Sequence, residues 1–575
     1  MNDALLIFTF SPIQSFITEA RRASDLYVGS RILVRLAQAA AQAIEKHEGM
    51  LIYPAPPLTD DVPNKFVARV PWQEATTIAE EAKRALLNEW SRIADTANWR
   101  LTTGWEIPTR GPLPDAAWHA IWARQVSHQW EIYWAVASMD SRSYRDAYDE
   151  ASRAVDAAKR ARTFAAVEEH GVKDTLSGCR EALHTGKANA REYWAEISEQ
   201  VGAAKLRPDG RERLDAIGAV KRFSDLAEKH FPSTSTVASA DFLEGARGQL
   251  ADYRDSVENL LGSSRYRVQE DSDWPYDGDL LFIETLTPQR LESSYGLTVP
   301  DPGWLQMAQD TLREVYKQVK PRPAPYYAII ALDGDDMGKR VNECLTQTAH
   351  TELSRKLTDF ADRVKPVVKE HQGSLIYNGG DDVLALAPLS SAFPLARALA
   401  VSFKEVTGGT ASAGIAIVHH LYPLGAALQA ARAAERQAKQ VGRKNQVEGK
   451  NAVCVHSLKR SGEPLEIRSP WESVGEVFAE VMRLFQGDAQ GEPLSSKFAY
   501  DVLHAAYALP DADEKCRAEL KRLIKRHRNP NHLDAPNPDE WADRLRTWAA
   551  SLPDKAEELG RWLVFARFVA QGGRD

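Results

Sequence analysis

The stretch that most constrains the fold of this chain is residues 328–388, which read AIIALDGDDMGKRV, then a helical pattern, then GSLIYNGGDDVLALAP. It contains three apolar runs of four to eight residues bounded by Gly and Asp, which is typical of buried strands. Between the first two runs, residues 351–371 carry apolar side chains at helical spacing. The glycine connection Gly379-Gly380 is typical of a tight hairpin turn. The stretch is therefore predicted to fold as strand, helix and hairpin.

Three aspartates occupy the ends of these predicted strands. Asp333 ends the first strand, and Asp381 and Asp382 follow the glycines at the hairpin tip. If the first strand lies beside the hairpin, the three carboxylates meet at one edge of the sheet, where they repel one another unless protons or cations intervene. Hard cations that prefer oxygen ligands and leave positions for phosphate resolve this repulsion. The pattern predicts a catalytic site in which Asp333, Asp381 and Asp382 hold Mg²⁺ or Mn²⁺.

The loop after the first strand favours phosphate binding. It begins and ends in glycine and leads towards a helix, so its backbone N–H groups are placed to face a phosphate. A basic strip over residues 432–460 lies just beyond the strands, and its lysines either meet a triphosphate or form a solvated surface. The predicted nucleotide-binding residues are Gly334, Asp335, Asp336, Gly338, Gly379, Gly380, Lys439 and Lys444. Together with the carboxylates they describe a nucleotidyl-transfer site, although each motif alone is also ordinary turn chemistry.

Composition bounds the class of protein. The chain has 575 residues, a mild net charge of −8 and four scattered cysteines without a CxxC pair. This predicts several domains, only local nucleic-acid binding, and a reducing cytoplasmic location without a disulfide framework. No apolar run approaches the roughly 20 residues that a membrane span needs, so we expect no membrane association.

The N-terminal region repeats the same order of elements. LIYPAP…FVARVP resembles LIYNGG…VLALAP, and each follows a strand and a helix at nearly the same distance. The pattern predicts a duplicated domain, although this order of elements is common enough to arise by chance. In the first copy Phe10-Ser11 stand near the Asp333 position and Pro54-Ala55-Pro56 replace the hairpin tip. The first copy is therefore predicted to be a degenerate site.

The middle and the end of the chain carry weaker signals. Residues 171–186 resemble a knuckle, but Cys179 and His184 cannot complete a tetrahedral zinc site, and a loop with a buried thiol is the plainer interpretation. Residues 277–286 are predicted to form a turn and a strand, and residues 451–458 to close the second sheet. The chain after residue 470 reads as helical throughout. Its basic helix 515–528 either contacts RNA phosphates or an acidic partner, or faces solvent.

Several motifs resemble one known family. SPIQSFITEARRASDLYVGSRIL, FPSTSTVAS, DGDLLF, LDGDDMG, YNGGDDVLAL, SAGIAIVHHLYPL and HSLKRSGEPL are similar to the large subunit of type III CRISPR effector complexes, Cmr branch (type III-B). The resemblance implies an α+β fold with two ferredoxin-like palm domains, a helical or knuckle insert between them, and a C-terminal helical bundle. The implied bounds are residues 1–140 and 291–465 for the palms, 141–290 for the insert and 466–575 for the bundle.

The resemblance also implies a function. The family makes cyclic oligoadenylates from ATP when the complex, which carries a guide RNA and further Cmr-type subunits, binds target RNA. The 3′-hydroxyl of one adenylate attacks the α-phosphate of the next ATP, and pyrophosphate leaves. By motif match, Asp381, Asp382 and Asp333 hold the metal ion, and the backbone of residues 334–338 faces phosphate.

Two departures from the family pattern matter. No His-Asp dipeptide occurs in the chain, so we expect it to lack the family's N-terminal histidine–aspartate nuclease domain and not to cut DNA. In the knuckle, Asp174, Ser177 and Asp215 occupy positions where the family often has cysteines. Zinc in the knuckle is therefore not expected.

Two other functions remain open from the sequence. One is a cyclase of another product, such as cyclic di-GMP, although the GGDD tip is followed by Val-Leu here rather than by the Glu-Phe of diguanylate cyclases. The other is an inert scaffold that only binds RNA and partner subunits. Clustered carboxylates are costly to keep, which argues against a decayed site.

Overall fold

The computed structural model describes residues 3–58, 61–103, 113–161, 169–228, 231–262, 266–269, 272–299, 301–441, 450–460 and 463–574. The strands are β1 Asp3–Ser11, β2 Met50–Tyr53, β3 Lys65–Pro71, β4 Glu131–Ser138, β5 Tyr326–Gly334, β6 Ser374–Asn378, β7 Asp382–Pro388, β8 Ala411–His419, β9 Ala452–Leu458 and β10 Leu465–Pro470. The helices are α1 Gln14–Thr18, α2 Ala23–Lys46, α3 Ala75–Thr102, α4 Ala116–Ser127, α5 Tyr144–Arg160, α6 Ala190–Val201, α7 Ala216–Phe223, α8 Thr234–Ala238, α9 Ala240–Gly245, α10 Ala251–Leu261, α11 Pro288–Tyr295, α12 Pro302–Gln318, α13 Met337–Asn342, α14 Gln347–Glu370, α15 Ala392–Thr407, α16 Leu424–Ala438, α17 Trp471–Phe485, α18 Lys497–Ala506, α19 Glu514–His527, α20 Pro538–Ser551 and α21 Lys555–Ala570.

Two sheets form the centres of two palm domains with the same topology. The first sheet has the strand order β2-β3-β1-β4, and the second contains the matching order β6-β7-β5-β8, extended by β9 and β10. Both hairpins carry a register shift at the same place, between Leu51 and Tyr53 and between Leu375 and Tyr377. The chain also continues into a helix after the fourth strand of each copy, α5 and α16. The predicted fold class, with two palm domains, is confirmed.

The shared register assigns the correspondence between the two copies to the residue. In the first sheet Thr9 lies opposite Lys65, whereas Asp333 lies opposite Asp382 in the second. Counting from the common register shift, Thr9 takes the position of Asp333, and Phe10-Ser11, predicted to stand near that position, lie one and two residues further on. A lysine stands where the second copy has Asp382.

Alternation along β5 shows what covers each face of the second sheet. Ala328, Ile330 and Leu332 belong to a core shared with α14, α15 and the C-terminal helices. Tyr327 and Ile329 belong to a core shared with α16 and the first palm. Successive residues of a strand point to opposite faces, so this sheet is buried on both sides. The near-continuous apolar runs in the sequence follow from that burial.

The insert and the C-terminal bundle have cores of different kinds. Helices α9 to α12 form a separate apolar cluster with residues 266–269 and 272–286. In the bundle, Trp562 is fully buried against Phe478 and Phe393, with ring centroids 5.2 and 5.7 Å away. The domain bounds at 140, 290 and 465 stay a prediction. Three elements near these bounds pack across them: α5 packs on the first palm, α12 packs on the insert, and β10 pairs with β9 of the second palm.

Three local predictions were wrong. Residues 277–286 form two 3₁₀ turns rather than a strand, because the Asp277 carboxylate accepts the N–H of Asp279 at 3.0 Å and the Thr285 hydroxyl donates to carbonyls within the turns. Residues 452–458 form β9, which is not the edge strand of the second sheet, because β10 pairs with its outer side. The Cys179 thiol is exposed rather than buried.

Carboxylates organise the knuckle loop. The Asp174 side chain accepts the N–H groups of Leu176 and Ser177 at 2.7 and 2.6 Å and the Ser177 hydroxyl at 2.7 Å. Asp215 caps α7 and forms an ion pair with Arg180. These contacts stabilise the loop at the positions where cysteines were expected, and the absence of zinc there stays a prediction. Among the helices that the structure describes, none has the length and apolar character needed to cross a membrane.

The buried carboxyl group of Glu558 predicts that the stability of the bundle depends on pH. Its fully buried carboxylate accepts the backbone N–H of Arg468 on β10 and lies 3.2 Å from Arg561, and burial raises its pKa to about 7. Between pH 4.5 and 7 the unfolded chain loses this proton and the folded chain keeps it, so the carboxyl group progressively destabilises the fold as pH rises. We expect Glu558→Gln to gain roughly 3 kcal/mol relative to the parent between pH 4.5 and 8. Thermal unfolding of both proteins across that range measures the difference, and parallel pH profiles would contradict the assignment.

Candidate functional site

A cleft of about 610 Å³ lies between the two palms. The second palm contributes the hairpin tip and parts of α13 and α14, and the first contributes β2, β3 and α5. The residues lining the cleft include Tyr53, Lys65, Tyr148, Met337, Gly338, His350, Tyr377, Gly379, Asp381, Asp382 and Arg432. Of the predicted site residues, Gly338, Gly379, Asp381 and Asp382 are in this lining.

The hairpin places the carboxylates as the sequence predicted, with one difference in the turn. Asn378 lies opposite Val383, and the Gly379 N–H donates to the Asp382 carbonyl at 2.8 Å. The two turn residues are therefore Gly380, with φ of +94°, and Asp381, rather than Gly379-Gly380. The positive φ at Gly380 requires glycine. Asp382 lies directly opposite Asp333 on β5, so all three carboxylates meet at this end of the sheet.

Two of the three carboxyl groups, Asp381 and Asp333, have raised pKa values. Burial, followed by the charges of Asp333 and Asp382, raises the pKa of Asp381 to about 7. Burial also raises the pKa of Asp333, opposed by the Lys439 ammonium. A cation stabilises a site in which ionised carboxylates such as those of Asp333 and Asp381 are unfavourable. Three convergent carboxylates are hard oxygen donors that fit Mg²⁺ or Mn²⁺, and Asp333, Asp381 and Asp382 are the residues that would hold such an ion.

One face of α16 neutralises this cluster. Arg432 donates to both oxygens of Asp382, at 2.9 and 3.2 Å. Lys439 forms an ion pair with Asp333 and lies 2.9 Å from Glu435, which also lies 3.1 Å from Arg432. Arg432, Glu435 and Lys439 are spaced three and four residues apart, so one helix face carries all of them. Lys439, predicted to bind phosphate, therefore contacts a carboxylate here.

The loop predicted to cradle phosphate is largely tied to the protein. The Gly334 N–H donates to the Asp381 carbonyl at 2.9 Å, and the Asp335 N–H donates to the Thr410 carbonyl at 2.8 Å. The buried Asp335 carboxylate accepts the hydroxyls of Thr410 and Ser412, each at 2.8 Å, and a backbone N–H from residue 451. Asp335 thus fixes the loop to β8.

The remaining predicted residues occupy different surroundings. Asp336 has a φ of +56° and forms an ion pair with Lys450. Gly338 is open, because a Cβ there would meet nothing within 4 Å. The Gly380 N–H lies 3.4 Å from the Asn378 side-chain oxygen. Lys444 lies outside the described residues.

The sequence interpretation missed several residues of the cleft. Lys65 faces the cleft from the first palm, and its ammonium donates to the Tyr148 hydroxyl at 3.3 Å. Tyr53 and Tyr377 occupy the same position in the two hairpins. Burial raises the pKa of both phenols, and nearby carboxylates, Asp381 for Tyr53 and Asp382 for Tyr377, add to the shift. The matching LIY sequences were the signal for the tyrosine pair, and helical spacing was the signal for Arg432 and Glu435.

Two palms facing each other across a cleft, with a carboxylate hairpin in the second, define a double-palm protein of nucleotidyl cyclase-like architecture. Comparison with known proteins agrees. Residues 326–448 match the family Cas10/Cmr2, second palm domain, and residues 5–95 match the family CRISPR-associated protein Cmr2, N-terminal. Over these two segments the chain is similar to the Cas10/Cmr2 family of type III CRISPR large subunits.

Individual relatives extend this comparison. The chain is 32% identical over 252 residues to the CRISPR system Cmr subunit Cmr2 of Pyrococcus furiosus, a match that covers 38% of this chain and 28% of that protein. It resembles a chain of the type III-B Cmr-beta structure in the apo state, with a TM-score of 0.68 and 13% identity over all of this chain and 82% of that one. The Cmr-beta structure bound to cognate target RNA gives a TM-score of 0.65 at 12% identity, with 100% and 83% coverage. At these identities the two structures show the common fold.

Proposed function

We propose that this chain synthesises cyclic oligoadenylates from ATP with Mg²⁺ or Mn²⁺, as a subunit of a type III-B effector complex that target RNA activates. The observation that carries the proposal is the meeting of Asp333, Asp381 and Asp382 at the edge of a cleft between two palms. The cleft offers carboxylates on one wall and a cationic and aromatic wall opposite. A structural role alone gives no reason for three mutually repelling carboxylates at a cleft.

The proposed reaction joins two nucleotides held in the cleft. The 3′-hydroxyl of one adenylate attacks the α-phosphate of the other, a phosphoester bond forms, and pyrophosphate leaves. A divalent cation held by the three aspartates would lower the pKa of the attacking hydroxyl and offset charge on the leaving group. Arg432 and Lys439 hold Asp382 and Asp333 in place through ion pairs. If a metal ion were bound to these carboxylates, the two basic side chains would be available to contact phosphate oxygens.

The proposed partners are guide RNA, target RNA and other Cmr-type subunits. The family resemblance supports them, and one of the structural relatives is a Cmr-beta complex bound to cognate target RNA. The basic helix α19 is a weak candidate for RNA contact, because Arg517 and Arg522 form ion pairs with Asp543 and Glu519, and Nε2 of His527 lies 2.7 Å from Asp501. The mild overall charge is consistent with RNA bound mainly by neighbouring subunits.

The test is ATP turnover by the assembled complex with Mg²⁺ or Mn²⁺, with and without matching target RNA. Cyclic adenylates formed only with target RNA support the proposal. Products formed from GTP instead would favour a diguanylate-type cyclase, and no product with RNA binding intact would favour a scaffold. ATP and GTP reactions run side by side separate these outcomes.

Lys65 provides a prediction specific to the first palm. Its ammonium faces the cleft at the position that Asp382 occupies in the second palm, so it is placed to contact nucleotide phosphate rather than metal. We expect Lys65→Ala to raise the KM for ATP about 10-fold, the loss of one charge-assisted contact, with little change in kcat. Lys65→Arg should recover part of the affinity. Steady-state kinetics measure both, and an unchanged KM would remove Lys65 from the binding site.

A further inference from the structure

A second cluster of metal-ligating side chains lies at the outer edge of the second sheet. Cys454 and His456 are two residues apart on β9 and therefore point to the same face. Glu466 on β10 lies directly opposite His456. Ligand atoms of the three side chains all lie within 4.8 Å of one another. This arrangement brings a sulfur, a nitrogen and an oxygen donor to one point.

The carboxamide of Gln437 on α16 occupies the space between these groups. Its Oε1 accepts from the Cys454 thiol at 3.2 Å and from Nε2 of His456 at 2.7 Å, and its Nε2 donates to Glu466 at 3.3 Å. One polar group thus touches all three potential ligands. Because Oε1 only accepts hydrogen bonds, the thiol and the imidazole both direct a proton at the same atom.

We propose that Cys454, His456 and Glu466 bind a transition-metal ion of the Zn²⁺ class, which displaces the Gln437 carboxamide. Thiolate, imidazole and carboxylate are the ligands that Zn²⁺ takes in proteins. His456 Nε2 and Glu466 Oε2 lie 3.7 Å apart, and two ligands of a tetrahedral zinc ion lie about 3.3 Å apart, so small side-chain movements complete the geometry. The Glu466 side chain is 43% exposed, which leaves the fourth position to water.

The protonation states of the free ligands set the pH dependence of metal binding. Burial lowers the pKa of His456, so its imidazole is neutral near pH 7. Burial raises the pKa of the Cys454 thiol. Binding therefore releases the thiol proton to solvent, moves the imidazole proton to Nδ1 and leaves Nε2 free for the metal, and the affinity rises with pH.

This cluster is separate from the palm carboxylates. β9 lies two strands from β5, about 10 Å across the sheet. Gln437 also lies on the side of α16 away from Arg432, Glu435 and Lys439, as helical spacing requires. The expectation of no zinc concerned the knuckle, which this cluster does not include. Sequence patterns offer little warning of it, because Cys-x-His is a weak pattern and the third ligand comes from the next strand.

The test is a Co²⁺ titration of the full chain followed by absorption spectroscopy. Bound at one equivalent, Co²⁺ should give a thiolate charge-transfer band, which an all-carboxylate site cannot produce. Cys454→Ser should abolish the band, and His456→Ala and Glu466→Gln should weaken Zn²⁺ binding in equilibrium dialysis at least 10-fold. Gln437→Ala should tighten binding, because no carboxamide has to be displaced.

Two controls fix the location. Cys179→Ser removes an exposed thiol, and Asp381→Ala/Asp382→Ala removes the palm carboxylates, and both should keep the band. No band in the unchanged protein, or a band that survives Cys454→Ser, would overturn the proposal. If Gln437→Ala bound Zn²⁺ no more tightly than the unchanged protein, the proposed displacement of the Gln437 carboxamide would be wrong. Circular dichroism of each variant confirms that it is folded.

Discussion

The double variant Asp381→Ala/Asp382→Ala should lose adenylate synthesis by the assembled complex, with a fall of about 10³-fold or more. Both carboxylates belong to the cluster that would hold the divalent ion, and Asp382 also lies opposite Asp333. Removal of two of three ligands leaves a site that cannot concentrate a cation at the reacting phosphate. Product analysis with ATP, Mn²⁺ and target RNA measures the loss.

Replacement of Asp381 alone should not destabilise the fold. Burial and like charges raise the pKa of Asp381 to about 7, which means that the ionised carboxylate is unfavourable in the folded protein. Asp381→Asn should therefore keep or raise the thermal unfolding midpoint while it removes activity, the pattern of a functional residue that costs stability. Asp359→Ala is the matched control, since Asp359 is an exposed aspartate on α14 of the same palm. A fall in activity with the control, or a collapse of stability with Asp381→Asn, would show that the aspartates act structurally.

The palm domains were predictable because their signals are local. Short apolar runs between glycine and aspartate turns identify strands wherever both faces of a sheet are buried, and the LIY hairpins made the duplication visible. The register was not predictable to the residue. A shift at Leu51–Tyr53 and its counterpart at Leu375–Tyr377 changes which side chains face each other. For that reason the correspondence of Thr9 to Asp333 and of Lys65 to Asp382 required the structure.

The site was predictable in its carboxylates and less so in its surroundings. Asp333, Asp381 and Asp382 are fixed by strand ends, and strand ends are readable from sequence. The Asp335 carboxylate accepts hydrogen bonds from Thr410 and Ser412, which are distant in sequence. Sequence spacing alone therefore could not show whether Asp335 anchors the loop or faces a phosphate. Segment 277–286 failed for the same reason. The turns form against α8, where the Thr236 hydroxyl accepts the Gly278 N–H and the Asp277 carboxylate accepts the Ser233 hydroxyl, and these partners come from a distant part of the sequence.

Gly414→Ala should destabilise the second palm by about 3 kcal/mol and also reduce activity. A Cβ at this position on β8 would lie 2.1 Å from the Glu435 nitrogen and 2.3 Å from the Ala431 carbonyl oxygen. Both are backbone atoms of α16, so no side-chain rotation relieves the clash, and the helix has to move away from the sheet. Differential scanning calorimetry measures the loss of stability.

The activity should fall because α16 carries the residues that position the carboxylates. Arg432 contacts Asp382, and Lys439 contacts Asp333, so a displacement of about 1 Å in this helix is transmitted to both and is worth roughly 10²-fold in rate. Gly425→Ala on the same helix is the control. A Cβ there meets nothing within 4 Å, and the change should be neutral or stabilise the helix by up to about 1 kcal/mol. Equal effects of the two substitutions would mean that the close approach of α16 to β8 does not hold the site together.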